Sequence, residues 1–144
     1  MRLQKIAAAL LGLAIGTVAV GSAFAALSED RAANMKHIRY AYGQLYQMLR
    51  NDSFDPATAQ QGATAIAAGL VQLKDLFPAG SQTADDRASA DIWNNRPGFE
   101  ALRGTAYEAA LSMAKAPDPA SFTDAFQKLG QACRSCHDKF ANLN

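Results

Sequence analysis

At 144 residues the chain has room for one domain with a modest core, and 49% hydrophobic residues suffice to build it. Its 14 basic and 13 acidic residues nearly cancel, for a net charge of +1. That balance excludes the basic face that nucleic-acid binding needs, so no nucleic-acid partner is expected.

The N-terminus reads as a targeting segment. Arg2 and Lys5 form a positive n-region, Ile6 to Val20 is apolar, and Ala23-Phe24-Ala25 fits a small-x-small cleavage site. The apolar run is nearly long enough for a short membrane anchor. Gly12, Gly16 and Gly21 interrupt it, however, and a cleavage site follows directly. Residues 1–25 are therefore expected to be a cleaved secretory signal peptide. Residues 26–144 would form the working domain, with no membrane segment left. Losing Arg2 and Lys5 takes the 14 basic residues to 12 against 13 acidic, a net charge near −1.

Four helices follow from the apolar spacing, and no period-2 strand emerges. The first is expected to start near Ser28 as N-cap, with Glu29 and Asp30 suiting the helix dipole, and to end around Asn51. Its stripe runs Leu27, Met35, Ile38, Tyr42, Leu45 and Leu49, with Arg31 on the same face. Asp55-Pro56 opens the second helix, whose stripe is Ala63, Ile66, Leu70, Leu73 and Phe77, stopped by Pro78-Ala79-Gly80. Residues 80–97 are the longest irregular stretch. Pro97 is expected to start a third helix with Phe99, Leu102, Ala106, Ala109 and Met113 inward. Pro117-Asp118-Pro119 breaks the chain again, and either Asp118 or Ser121 can cap the fourth helix. Its stripe is Phe122, Phe126, Leu129, Cys133, Cys136, His137 and Phe140. Short turns join the first helix to the second and the third to the fourth. The expected fold is therefore all-α, an antiparallel up-down-up-down four-helix bundle.

The last helix carries the chemistry. Cys133-Arg134-Ser135-Cys136-His137 reads C-x-x-C-H, the attachment signature of a c-type haem. Two thiols at this spacing can add to the two vinyl groups of one porphyrin, and the adjacent imidazole can then ligate the iron. In an oxidising compartment the pair could instead close as a disulfide. A redox dithiol predicts a βαβ context that is missing here, and a zinc site lacks ligands, since only His37 remains. Cys133 and Cys136 are thus expected to hold one covalent haem c near the C-terminus, with His137 as proximal metal ligand.

The opposite axial position is open on spacing alone. A methionine thioether is a common second ligand, and Met35, Met48 and Met113 are available. Met35 and Met113 lie on inward stripes, whereas Met48 is one position off; a buried methionine is more often core filler. His37 falls off the buried face and reads as solvated surface. Arg31, one turn before Met35, either pairs with a haem propionate or snorkels at the helix end. Trp93 either covers an edge of the macrocycle or simply packs.

These residues together resemble the class II c-type cytochromes, the family of cytochrome c prime and its low-spin relatives. The resemblance rests on the C-terminal Cys133-x-x-Cys136-His137, on Arg31-x-x-x-Met35-Lys36, and on Asp91-Ile92-Trp93 followed by Phe99, and it covers nearly all of residues 26–144. It implies a four-helix bundle, a periplasmic location and electron transport. It implies Cys133 and Cys136 as thioether cysteines, His137 as proximal ligand, Arg31 near the propionates and Met35 facing the distal side of the iron. In low-spin members a methionine there binds iron and the protein carries electrons. In cytochrome c prime proper the haem is five-coordinate and can bind nitric oxide or carbon monoxide. Members often carry a basic residue four positions after the proximal histidine, where this chain has Ala141. The family commonly pairs through its first two helices, so a homodimer is implied; Tyr40 and Tyr46 fit such a face or ordinary exposure. No catalytic triad, acid/base carboxylate pair or phosphate loop appears, so an enzyme is not expected. The sequence names no redox partner.

Overall fold

The computed structural model describes residues 17–83 and 87–142. Helix α1 is Thr17–Arg50, α2 is Pro56–Gln72, the short α3 is Asp91–Asn94, α4 is Arg96–Ala114 and α5 is Pro119–Phe140. The four long helices form the expected bundle. α1 packs on α2, α2 on α4, and α4 on α5. Among the described residues the only extended pairing is an isolated antiparallel bridge between Ala88 and Ala141.

The helix starts follow their capping chemistry. The Asp55 carboxylate accepts from the Thr58 backbone N–H at 2.7 Å, and Pro56 takes the first turn. Asp118, not Ser121, caps α5: its carboxylate accepts from the Ser121 N–H at 2.8 Å and from the Ser121 hydroxyl at 2.9 Å. α4 begins at Arg96, one residue before Pro97, because the Asn95 side chain accepts from Gly98 N–H at 3.2 Å.

Two boundaries differ from expectation. α1 does not start at Ser28 but runs through it from Thr17, so the Ala23-Phe24-Ala25 segment is helical. Alanine-rich sequence without proline offers no reason to break there. Arg2, Lys5 and most of the apolar leader lie outside the described residues. α2 ends at Gln72, yet Leu73 and Phe77 stay buried in the turns that follow. Gly80 then adopts φ +73, a left-handed turn conformation that glycine accepts without strain.

The core is centred on Leu45, Ile66, Met113, Phe122 and Leu129, all fully buried. α1 and α2 approach closely at Gly69, where an added Cβ would stand 2.6 Å from Ile38 Cγ1. The buried Asn34 side chain donates to the Gly69 carbonyl at 2.9 Å across the same crossing. By contrast, α1 and α5 meet through side chains rather than by close backbone approach.

Candidate functional site

Cys133 and Cys136 are one helical turn apart on α5, both half-buried and both free thiols, with half-buried His137 beside them. Burial pushes the Cys133 thiol above its ordinary value. Burial first, and the neighbouring Cys133 second, push Cys136 up to about 11. Neither is the low-pKa thiolate that a redox dithiol requires.

The α1–α5 seam is ordered by aromatic rings. Tyr42 stacks on Phe126 with centroids 4.4 Å apart and 24° between planes, and Tyr46 flanks Phe126 at 6.4 Å. Phe54, beyond the end of α1, meets Phe122 at 5.5 Å. Advancing along α1 thus means retreating along α5, so the two helices run antiparallel. Seven residues toward the N-terminus from Tyr42 is Met35; seven toward the C-terminus from Phe126 is Cys133. Each step is two turns, about 10 Å, and returns to nearly the same helix face. Met35, half-buried, is therefore level with Cys133 across the seam.

The other methionines sit elsewhere. Phe99 meets Phe140 edge-on at 5.6 Å, so the start of α4 lies against the end of α5. Met113 is 14 residues further along α4, about 20 Å toward the far end of the bundle, and is fully buried in the core. Met48 is buried despite its off-stripe position, because α1 packs a face wider than a single row. Met48 lies about 20 Å from the level of Met35, and Met113, level with Phe126, lies about 10 Å from it. His37 is exposed.

Arg31 is only 4% exposed. Its Nε donates to the Leu76 carbonyl at 2.7 Å, and its Nη2 donates to the Ser81 carbonyl at 3.1 Å and to the Ser81 hydroxyl. The guanidinium lies over the Phe77 ring at 4.7 Å and near Trp93 at 5.4 Å. Trp93 Nε1 donates to the Pro78 carbonyl at 2.7 Å, and its ring meets Phe77 edge-on at 5.8 Å. Arg96 completes the arrangement by donating to the Lys74 and Phe77 carbonyls, both at 2.8 Å. The turn after α2 is thus held by three side chains that bond its carbonyls. Rings of Trp93, Phe77, Phe99 and Phe140 then run in contact from Arg31 to the end of α5. That end is tied down by Ser89 N–H to Phe140 O (3.0 Å) and Asn142 N–H to Arg87 O (2.7 Å). Ala141 lies in the bridge to Ala88.

Arg31, Met35, Trp93, Cys133, Cys136 and His137 thus gather at one end of the bundle. Sequence spacing reads Tyr42 as one more stripe residue; the seven-residue offset shared by Met35–Tyr42 and Phe126–Cys133 is the signal that pairs it with the site. Ser81 carried no local signal. A depression of about 290 Å³ opens on the seam beside Tyr42, Phe126, Gly130 and Arg134. A larger groove of about 460 Å³ runs between α4 and α5, lined by Leu102, Thr105, Ala109, Ala132 and Ser135. No group of three or more His, Cys, Asp or Glu that could hold a metal occurs among the described residues. The donor set instead fits haem c: two thiols on one face for thioether bonds, an adjacent imidazole for iron, and a seam between α1 and α5 that side chains bridge.

The sequence pattern of the family described as Cytochrome C' matches residues 26–141. The chain is 32% identical over 117 residues to cytochrome c-556 of Agrobacterium tumefaciens, covering 78% of this chain and 93% of that protein. It is 28% identical over 149 aligned positions to cytochrome c' of Cereibacter sphaeroides, covering 96% and 97%. Its fold superposes on cytochrome c prime from Shewanella frigidimarina with a TM-score of 0.74 at 30% identity, covering 82% of this chain and 95% of that one. The chain belongs to the cytochrome c' family, class II c-type cytochromes that carry a covalently attached haem c.

Proposed function

We propose that the chain is a periplasmic electron-transfer protein with Cys133 and Cys136 in thioether linkage, His137 as proximal ligand and Met35 as distal ligand. The observation that carries this reading is the level of Met35, opposite Cys133 across the α1–α5 seam, while Met113 and Met48 lie about 10 Å and 20 Å further along the bundle and are buried in its core. Haem c, when bound, supplies a one-electron couple between ferric and ferrous iron. His137 presents its imidazole from the face that fixes the thiols. A Met35 thioether opposite it favours the ferrous state and raises the potential. The buried faces of α1, α4 and α5 would limit how much water reaches a bound haem, which also tunes the potential. Arg31 and Trp93 fix the turn that closes this end of the bundle.

Export is part of the proposal. Cleavage after Ala25 leaves α1 beginning near Ala26, with Ser28, Glu29 and Asp30 in its first turn, where they suit the positive end of the helix dipole. No helix among the described residues is long and apolar enough to cross a membrane. Homodimer pairing through α1 and α2 has exposed Tyr40 (70%) and Val71 (49%) to build on.

The ferrous absorption spectrum tests the ligand assignment. Sharp, split low-spin bands unaffected by carbon monoxide are expected, and Met35→Leu should turn them into a broad high-spin band that shifts with carbon monoxide. Wild-type protein already broad and carbon-monoxide-responsive would instead establish the five-coordinate, gas-binding rival.

A further inference from the structure

Tyr42 is the side chain that spans the α1–α5 seam next to the site. Its ring lies almost flat on Phe126, and its hydroxyl reaches one turn further along α5 to Gly130. A Cβ at Gly130 would stand 3.0 Å from Tyr42 Oη, closer than side chains ordinarily tolerate, so the phenol fits there because position 130 has no side chain. Gly130 is one turn before Cys133. The Tyr42 phenol titrates above its ordinary value, through burial first and the nearby Cys133 thiol second, while Arg134 acts in the opposite direction.

Elsewhere the bundle sets its helix spacing by close approach, as at Gly69 against Ile38. Among the described residues α1 and α5 approach each other less closely, and their spacing is bridged by the Tyr42 and Phe126 rings and by the reach of the phenol to Gly130. Met35 extends from the same face of α1, two turns away. A functional group must be held within about 0.5 Å of its working position to make a bond of fixed length. A change of a few tenths of an ångström in the seam is therefore a large fraction of that tolerance.

We propose that Tyr42, seated on Phe126 and Gly130, is the positioning residue that sets the α1–α5 gap and with it how closely the Met35 side chain covers the haem iron. The proposal rests on the Met35 assignment for its expected spectrum but not for its carbon monoxide readout. Whether Met35 binds the iron or only covers it, a wider gap raises the fraction of molecules in which carbon monoxide can enter, and apparent affinity scales with that fraction.

The test uses holoprotein variants Tyr42→Leu, Gly130→Ala and Tyr42→Phe, with Ile66→Val, in the core on α2 rather than on either helix of the seam, as a control for general core loosening. Equilibrium carbon monoxide binding to the ferrous form is measured alongside the spectrum without ligand. Tyr42→Leu and Gly130→Ala should each raise carbon monoxide affinity by at least about tenfold. Tyr42→Phe, which keeps the ring, should stay within about threefold of wild type, and Ile66→Val should not change it. If Met35 ligates, a high-spin band appears in the first two variants as well. Folded Tyr42→Leu or, should that variant fail to fold, Gly130→Ala with unchanged carbon monoxide affinity overturns the proposal. A parallel change in Ile66→Val does so too, by reducing the effect to general loosening. A wild-type spectrum that is already high-spin and indifferent to Met35→Leu removes the ligand assignment alone, since the affinity comparison still reads the gap.

Discussion

A guanidinium buried to 4% exposure is the most demanding single residue in this protein. Burying a charge is tolerable only when its donors are met, and Arg31 meets the Leu76 and Ser81 carbonyls and the Ser81 hydroxyl. Arg31→Ala leaves those acceptors buried and unpaired, and removes the planar group that lies against Phe77 and Trp93. The expected loss is about 3 kcal/mol, read as a lower urea midpoint, with residues 76–83 and 87–93 losing amide-exchange protection first. Loss below about 0.5 kcal/mol would contradict this structural share of the Arg31 role. The stripe on the first helix already marks Arg31 as inward-facing, because it sits one turn before Met35. Its partners stand 45 and 50 residues away in an irregular turn, and no local pattern reports such a pairing. Met35 is similar: its face is readable from periodicity, but its level against Cys133 depends on a ring stack between the first and last helices.

At the scale of elements, the caps carry a pH dependence. Hydrogen bonds from the Thr58 hydroxyl and then its backbone N–H hold the Asp55 carboxyl below its ordinary range. The Ser121 backbone N–H and then its hydroxyl do the same for Asp118. A carboxyl whose pKa is lower in the folded state contributes its stability fully above the ordinary Asp value of about 4. That contribution is lost as pH falls through the lower folded value. The urea midpoint of the wild type should therefore drop as pH falls below about 4, and an Asp55→Asn, Asp118→Asn double variant should show a shallower drop, because Asn caps without titrating. Equal slopes would contradict the capping account. Both caps are legible in the sequence as Asp-Pro pairs, and the four stripes are legible by period. Ser28 misleads because an N-cap residue also fits inside a helix when alanines precede it and nothing breaks the chain. Met48 misleads because α1 packs a face wider than one row of side chains. The short α3 and the Ala88–Ala141 bridge escape because they depend on contact with the end of α5.

At the scale of the whole molecule, three of the four helix contacts are close and the fourth, α1 against α5, is bridged by aromatic rings. That asymmetry puts the ring-bridged seam beside the level that Met35 on α1 shares with Cys133 on α5. It also ties the working protein to export, since thioether attachment and leader removal accompany each other in this reading. Holoprotein recovered from the periplasm should have the mass of residues 26–144 plus one haem, and the haem should stay attached after acid and organic extraction. Full-length mass, or haem that extracts, would contradict it.

The central claim is that the Met35 sulfur completes the iron coordination opposite His137. Iron-edge X-ray absorption of the ferrous holoprotein measures this directly. A sulfur neighbour in the innermost shell of the iron, absent in Met35→Leu and retained in Met48→Leu, is the predicted result. An innermost shell of nitrogen alone, identical in wild type and Met35→Leu, would contradict it.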